Sequence, residues 1–101
     1  MVEKGYEVVW TKRSQKQMRQ VFKHISKDSP KNASKVILEI AEEVQKAIPN
    51  PEIYGPDKYK IDNDGSYRAF EKHHYRVAYR FSKNIIRVLR VRHTSMEPKN
   101  F

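Results

Sequence analysis

The side chains best suited to chemistry are three arginines in the last third of the chain. Arg68, Arg76 and Arg80 carry guanidinium forks, which match phosphate oxygens in bidentate pairs. Strand parity and pairing predict that they gather near one another, where they would hold an anionic group. The alternative is that they form the solvated side of a half-buried sheet. Glu71 is the only acid in residues 66–93, and therefore the only carboxylate that this region offers.

Three histidines lie at the ends of the predicted strands. His73 and His74 are adjacent in a predicted turn, which favours an exposed connection, and His93 comes directly after the last strand. An imidazole with an unperturbed pKa of about 6.5 can act as acid or base. The three histidines lack the spacing of a metal site, so we predict no metal and no cofactor. His93 is the candidate for proton transfer, with a hydrogen-bonding role at the end of the sheet as the alternative.

The strands that would position these residues follow Gly65. Strand-forming residues cover 67–71, 75–81 and 85–92, joined by connections of three residues. Connections this short join antiparallel neighbours. In the middle strand, alternation places Arg76 and Arg80 on one face and an apolar set on the other, which is expected to meet helices. The apolar set is Tyr75, Val77, Tyr79 and Phe81.

The tyrosines of this region allow two interpretations. Tyr59, Tyr67, Tyr75 and Tyr79 could stack on nucleic-acid bases, but aromatic residues on strands more often pack against helices, which is the interpretation we favour.

The first part of the chain predicts a strand and a helix. Tyr6, Val8 and Trp10 alternate, as in a strand with one apolar face. In residues 12–27 the apolar positions follow the spacing i, i+3, i+4, i+7, and lysine and arginine occupy the remaining positions. This pattern is typical of an amphipathic helix with a cationic outer side.

A second helix is predicted to follow directly. Ser29 can cap it, Pro30 fits its first position, and the helix must end before Pro49. Residues 49–65 are rich in proline, glycine, aspartate and asparagine, which marks a surface loop. The predicted fold is therefore α+β with the order β-α-α-β-β-β, an N-terminal strand and a helical hairpin packed on an antiparallel sheet.

The charge of the chain indicates an anionic partner. Lys and Arg number 21 against 12 Asp and Glu, for a net charge of +9, which favours nucleic acid, a ribosome or an acidic protein segment. Cysteine is absent, which excludes disulfides, thiolate metal sites and a cysteine nucleophile. A length of 101 residues predicts one domain over residues 1–101. No apolar run is long enough to span a membrane, so we expect a cytoplasmic protein with no membrane partner.

Specific segments resemble the RelE/ParE superfamily of toxins. These are the opening strand YEVVW, the hairpin QVFKHISKDSPKNASKVILEI, the strand pair YRAFEKHHYRVAYRF and the closing strand IIRVLRVRH. Together they cover nearly the whole chain, and the hairpin and RVRH followed by TSMEP are most similar to the ParE branch. The resemblance implies the toxin of a type II toxin–antitoxin, or plasmid stabilisation, module. It also implies an acidic, partly disordered cognate antitoxin in a hetero-oligomeric complex.

Two targets are implied by the resemblance. ParE-like members poison DNA gyrase, whereas RelE-like members cut messenger RNA in the ribosome, as metal-independent endoribonucleases. In the second case His93, Arg68 and Arg76 match catalytic positions: cations hold the phosphate while a base takes the 2′-OH proton and an acid protonates the 5′-oxygen. RelE continues into a C-terminal helix, whereas only TSMEPKNF follows here, which favours ParE.

The ParE-like interpretation places the target-binding surface on arginines of the predicted sheet. Two other functions stay open, a non-toxic basic nucleic-acid-binding module and a degraded toxin retained as a scaffold for its antitoxin. The surface residues are Arg68, Arg76, Arg80, Arg87, Arg90 and Arg92.

Overall fold

The structure is a computed structural model, and it describes residues 5–96 and 100–101. It confirms the predicted α+β fold and its element order. Within these residues, no helix is long and apolar enough to cross a membrane. The elements are β1 (Glu7–Trp10), α1 (Lys12–Ser26), α2 (Pro30–Gln45), a short 3₁₀ helix (Pro51–Ile53), β2 (Tyr67–Lys72), β3 (Tyr75–Ser82) and β4 (Ile85–His93).

Both helices begin at capping residues. The Thr11 side chain accepts a hydrogen bond from the backbone N–H of Ser14 at 3.1 Å, which starts α1. Ser29 accepts from the backbone N–H of Asn32 at 3.1 Å, and Pro30 occupies the first turn of α2, as predicted. These bonds satisfy N–H groups that the first turn of a helix leaves unpaired.

The four strands form one sheet in the order β1-β4-β3-β2. The meander β2-β3-β4 is antiparallel, as predicted. β1 joins the edge next to β4 and runs parallel to it, from Glu7 opposite Ile85 to Trp10 opposite Val88. The sheet is therefore mixed at this edge.

The connections of the meander are one residue shorter than predicted. Lys72 pairs with Tyr75, so only His73 and His74 form the first turn, with φ of 52° and 68°. The second turn, Lys83 and Asn84, has the same left-handed backbone, with φ of 49° and 66°. Two residues with positive φ are typical of the type I′ turn, whose twist matches that of paired strands.

The shorter first turn places Arg68 on the face opposite to the predicted one. Arg68 pairs with Tyr79, whose side chain is buried, and not with a residue on the side of β3 that carries Arg76 and Arg80. The prediction that Arg68 gathers with Arg76 and Arg80 was wrong, because a shift of one residue in register exchanges the two faces of a strand.

A β-bulge in β4 brings its arginines to one face. Ala78 pairs with Arg90 but Tyr79 pairs with Val88, so Leu89 is the extra residue on β4. Arg87 lies before the bulge and Arg90 after it. Strict alternation would separate these two side chains, and the extra residue restores them to the same face.

The core lies between the helices and one face of the sheet. Tyr75, Val77 and Tyr79 are buried there, and Phe81 packs against them, which confirms the predicted apolar face of the middle strand. Val8 and Trp10 of β1, and Tyr6 directly before it, contribute the apolar side chains predicted for the first strand. The helices contribute Val21, Val36, Ile40 and Val44, and the rest of the sheet Phe70, Ile86, Val88 and Val91.

Candidate functional site

We use the name open face for the side of the sheet away from the helices. Its strand residues include Arg76 and Arg80 on β3 and Arg87, Arg90 and Arg92 on β4, as the pairing requires. Two aromatic residues of the set predicted to pack on the helices lie here instead. The Tyr59 ring contacts Arg76, with 4.8 Å from the guanidinium carbon to the ring centroid, and Tyr67 pairs with Arg80.

A small cavity on the open face, here called the His93 cavity, collects most of the predicted site. It encloses about 90 Å³, below the roughly 300–1,000 Å³ of a typical ligand pocket, so it fits part of a nucleotide or a single side chain. Its described lining is Asp57, Tyr59, Glu71, Arg76, Ala78, Arg90, Arg92, His93, Thr94, Met96 and Phe101.

Arg76 is held by two carboxylates of this cavity. One guanidinium nitrogen donates to the Asp57 carboxylate at 2.9 Å and another donates to Glu71 at 3.3 Å. The Asp57 side chain is only 2% exposed and also accepts from the backbone N–H of Tyr59 at 3.1 Å. The charge of Arg76 is therefore largely balanced inside the protein. The Arg76–Asp57 pair also fastens the long loop, residues 49–65, to the sheet.

Arg90 lies beside Arg76 in the same cavity. Burial lowers the pKa of its guanidinium, and the neighbouring Arg92, Arg13 and Arg76 lower it further, whereas Asp57 raises it. Phe101 covers it, with 3.7 Å from the guanidinium carbon to the ring centroid. Four arginines around the two carboxylates Asp57 and Glu71 favour the approach of a further anion.

His93 is held in one tautomer at the end of β4. Its Nδ1 lies 3.0 Å from the backbone N–H of Ser95 and 2.7 Å from the Ser95 hydroxyl. A backbone N–H only donates, so Nδ1 is the acceptor and the neutral ring carries its proton on Nε2. The ring packs edge-on against Tyr75 at 5.0 Å and stacks on His74 at 6.4 Å. In the neutral ring, this geometry leaves Nε2–H as the group able to donate a hydrogen bond.

A second concavity on the helix side also reaches His93. It includes His24 and Gln20 of α1, with a volume of about 610 Å³. Gln17, one helical turn earlier, accepts from the backbone N–H of Val91 at 2.7 Å and fixes α1 along the edge of β4. His24 was missed from the sequence, because it lies on the polar side of an amphipathic helix and nothing local relates it to His93.

The other predicted residues lie apart from the His93 cavity. Arg68 donates to the backbone carbonyls of Gly65 at 2.8 Å and Tyr54 at 3.1 Å, so it ties the loop on the helix side. His73 bonds to Glu39 of α2 at 2.8 Å, and this contact lowers the pKa of Glu39. The structure thus brings together Arg76, Arg90, Arg92 and His93, with Glu71 beside them, and separates Arg68 from them.

Arg80 and Arg87 line a different hollow, at the end of the open face where the Lys83-Asn84 turn lies. Arg80 reaches Ser66 through its Nε at 3.3 Å and stacks on Tyr67 at 5.0 Å. The predicted arginine surface is therefore divided into two parts, one at each end of the sheet.

Comparison with solved structures shows the fold of this chain in other proteins. The chromosomal ParDE toxin–antitoxin system from P. aeruginosa is similar over 87% of this chain and 95% of that chain, with a TM-score of 0.71 and 16% identity. The RelBE2 toxin–antitoxin complex from Mycobacterium tuberculosis is similar over 88% of this chain and 98% of that chain, with a TM-score of 0.61 and 16% identity.

Sequence comparison gives the assignment to a family. Among curated proteins, none matches the sequence significantly. The family model for the ParE toxin of type II toxin-antitoxin systems, parDE, matches residues 8–98, and thus nearly the whole chain. This protein therefore belongs to the ParE toxin family, within the superfamily and in the branch expected from its sequence.

Proposed function

We propose that this toxin arrests growth by acting on DNA gyrase in the cytoplasm and is neutralised by a cognate acidic antitoxin. Membership of the ParE family supports the toxin role, and the two similar structures described above come from toxin–antitoxin systems, which supports the antitoxin. The net charge of +9 suits a partner with an acidic segment.

The proposal depends on the ion pairs that Arg76 makes within the protein. This residue is the central cation of the expected ribonuclease set, yet Asp57 and Glu71 already bind it. Arg68, the second cation of that set, faces the helices. A toxin whose expected catalytic cations stabilise its own fold is better suited to act by binding a protein target.

A second candidate function is cleavage of messenger RNA, which the composition of the His93 cavity favours. Glu71, with a side chain 56% exposed, would take the proton from a ribose 2′-OH. Arg90 and Arg92 would hold the phosphate, and His93, as the imidazolium with its Nδ1–H donated to the Ser95 hydroxyl, would give its Nε2 proton to the departing 5′-oxygen. The protons balance without a metal, since Glu71 takes one from the 2′-OH and His93 supplies one to the 5′-oxygen.

Controlled expression separates the two functions. Under the gyrase proposal, induction arrests growth, the purified toxin inhibits gyrase in a supercoiling assay, and mapped transcript ends show no new cuts. Ribosome-dependent cuts with unaffected supercoiling would establish the ribonuclease instead. Absence of growth arrest in the absence of the antitoxin would defeat both.

Substitutions at the cavity sharpen the comparison. We expect His93→Ala and Glu71→Gln to stay toxic if gyrase is the target and to lose toxicity if RNA cleavage requires them. His73→Asn is the matched control, because His73 bonds to Glu39 of α2 outside the described cavity lining, and asparagine tolerates its left-handed backbone. Arg76→Ala is a poorer probe, since it also leaves the buried Asp57 carboxylate without its cation.

A further inference from the structure

We infer that the hollow beside the Lys83-Asn84 turn binds the phosphodiester backbone of a nucleic-acid strand. We call it the turn-end groove. Its volume is about 420 Å³, within the roughly 300–1,000 Å³ of ligand sites and several times that of the His93 cavity. Its described lining is Lys60, Tyr67, Arg80, Ser82, Lys83, Ile85, Arg87, Leu89 and Phe101.

The charged side chains of the groove are all of one sign. Among the described lining residues, every ionisable side chain with a charge at neutral pH is a cation: Lys60, Arg80, Lys83 and Arg87. The His93 cavity differs, because Asp57 and Glu71 stand among its arginines. Cations in a concave surface focus a positive potential that attracts polyanions.

Two carboxylates stand at the rim. Asp64 accepts from the backbone N–H of Ser66 at 2.9 Å and from its hydroxyl at 2.5 Å, and Ser66 in turn is the partner of Arg80. Glu7 pairs with Ile85 at the outer edge of the sheet. The contact with the Ser66 side chain, and less strongly the charge of Arg80, lowers the pKa of Asp64, so this carboxylate offsets part of the charge of Arg80. No carboxylate forms an ion pair with Lys60, Lys83 or Arg87 among the described contacts, so most of the positive charge of the groove remains.

The facing arginines of the groove are unfavourable in the free protein. Arg80 and Arg87 are direct cross-strand partners. Like charges in this arrangement repel and weaken the sheet. The tight turn that follows adds Lys83 at its tip. An arrangement that weakens the fold is explained if a phosphate group lies between these cations in the bound state.

Aromatic rings distinguish this groove from a purely electrostatic surface. Tyr67 and Phe101 pack edge-to-face at 6.0 Å, and Lys60 lies 4.7 Å from the first ring and 5.7 Å from the second. Arg80 covers Tyr67 at 5.0 Å. Interleaved cations and rings are the means by which proteins bind single strands without sequence preference, through phosphate contacts and base stacking. An acidic peptide would use the cations but not the rings.

The inference does not depend on the gyrase proposal. The ParE-like interpretation of the sequence had assigned Arg80 and Arg87 to the target-binding surface, but the test of this inference measures oligonucleotide binding and not toxicity. If the groove does not bind nucleic acid, the gyrase proposal therefore still stands, and the reverse also holds.

The test is fluorescence anisotropy of a labelled oligothymidylate with the purified chain and with Arg80→Gln/Arg87→Gln. Each phosphate contact to a single strand changes the affinity by about 5-fold per decade of salt, so at 0.1 M salt two lost contacts should weaken binding by about 25-fold. The slope of log affinity against log salt should fall by about 1.4.

The matched control is Arg19→Gln/Lys23→Gln, which removes the same charge from the exposed side of α1. We expect it to weaken binding by no more than about 3-fold, because it changes only the net charge of the protein. An equal loss in the two double variants would overturn the inference, since the groove would then have no special part. Thermal melting confirms that each variant is folded, and Lys60→Gln/Lys83→Gln replaces the first pair if it is not.

A labelled glutamate oligomer of equal charge and the variant Phe101→Leu test the chemistry of the ligand. We expect the oligonucleotide to bind at least 10-fold more tightly than the glutamate oligomer, and Phe101→Leu to weaken only the oligonucleotide. Equal affinity for the two probes, with no effect of Phe101→Leu, would overturn the nucleic-acid assignment and identify a surface for acidic peptides.

Discussion

Replacing Asp57 by alanine tests how the long loop is held on the open face. The Asp57 carboxylate is 2% exposed and accepts from Arg76 at 2.9 Å and from the backbone of Tyr59 at 3.1 Å. Asp57→Ala removes both bonds and leaves the half-buried guanidinium of Arg76 with only the exposed Glu71 as a partner. It also removes the carboxylate that offsets the repulsion around Arg90.

The expected loss follows from the burial of the pair. Removing one partner of a buried ion pair costs about 3–5 kcal/mol. Arg76 keeps 20% exposure and a second carboxylate, so we expect the lower end, about 3 kcal/mol. At about 4–8 °C per kcal/mol for a domain of this size, the melting temperature should fall by roughly 12 °C or more.

Urea unfolding of Asp57→Ala, Arg76→Met and the double variant measures the pair directly. The double variant should lose about 1–2 kcal/mol less than the sum of the single variants, because the second change no longer leaves a charge alone. Glu71→Gln is the control, since an exposed pair contributes at most about 1 kcal/mol. If Asp57→Ala costs no more than Glu71→Gln, or the cycle shows no coupling, the reasoning about this anchor is refuted.

Three further variants extend the argument. Arg68→Met should cost about 1–3 kcal/mol in urea unfolding, since its bonds to two backbone carbonyls are lost, while oligonucleotide affinity stays unchanged. Tyr79→Phe should cost about 1–3 kcal/mol, because the buried hydroxyl donates to the Pro51 carbonyl at 2.5 Å; a melting temperature equal to that of the parent would contradict this. Glu43→Gln should make the free energy of unfolding less dependent on pH in the acid range. The Tyr54 hydroxyl and then Lys46 lower the pKa of Glu43 below its ordinary 4.5, so its contribution is complete above that pH and is lost as pH falls through the lowered value.

The elements of the fold were predictable because their signals are local. The i, i+4 spacing of Val21 and Ile25 indicates a helix within two turns of chain. Ser29 and Pro30 mark the next helix through bonds that lie within one turn. Alternation in β3 likewise assigns Arg76 and Arg80 to one face, since the side-chain period of a strand depends on no other element.

The relation between strands was less predictable. The turn His73-His74 carries none of the Gly or Asn-Gly signals of a two-residue turn, so its length was overestimated by one residue and Arg68 was assigned to the wrong face. The bulge at Leu89 left a sequence signal, because the arginines of β4 are spaced by three and then two residues where a regular strand requires two. The bulge was not predicted, because this spacing was not used in assigning the strand.

The burial of Asp57 left no signal at all. It lies in a loop rich in polar and chain-breaking residues, where an acid is ordinarily solvated, and only packing against the sheet brings it to Arg76. The same packing places Phe101 over Arg90, 11 positions away along the chain, and divides the arginines of the open face between two hollows.

Sequence alone determined the helices, the strands, the positive charge and the membership of a toxin superfamily, because each depends on residue types at short spacing. Tertiary structure decided which arginines lie beside carboxylates, in the His93 cavity, and which lie among other cations, in the turn-end groove. The reason is physical: register, loop anchoring and ion pairing join residues that are distant in the chain, and a shift of one residue in a turn is enough to move a guanidinium from one face of the sheet to the other.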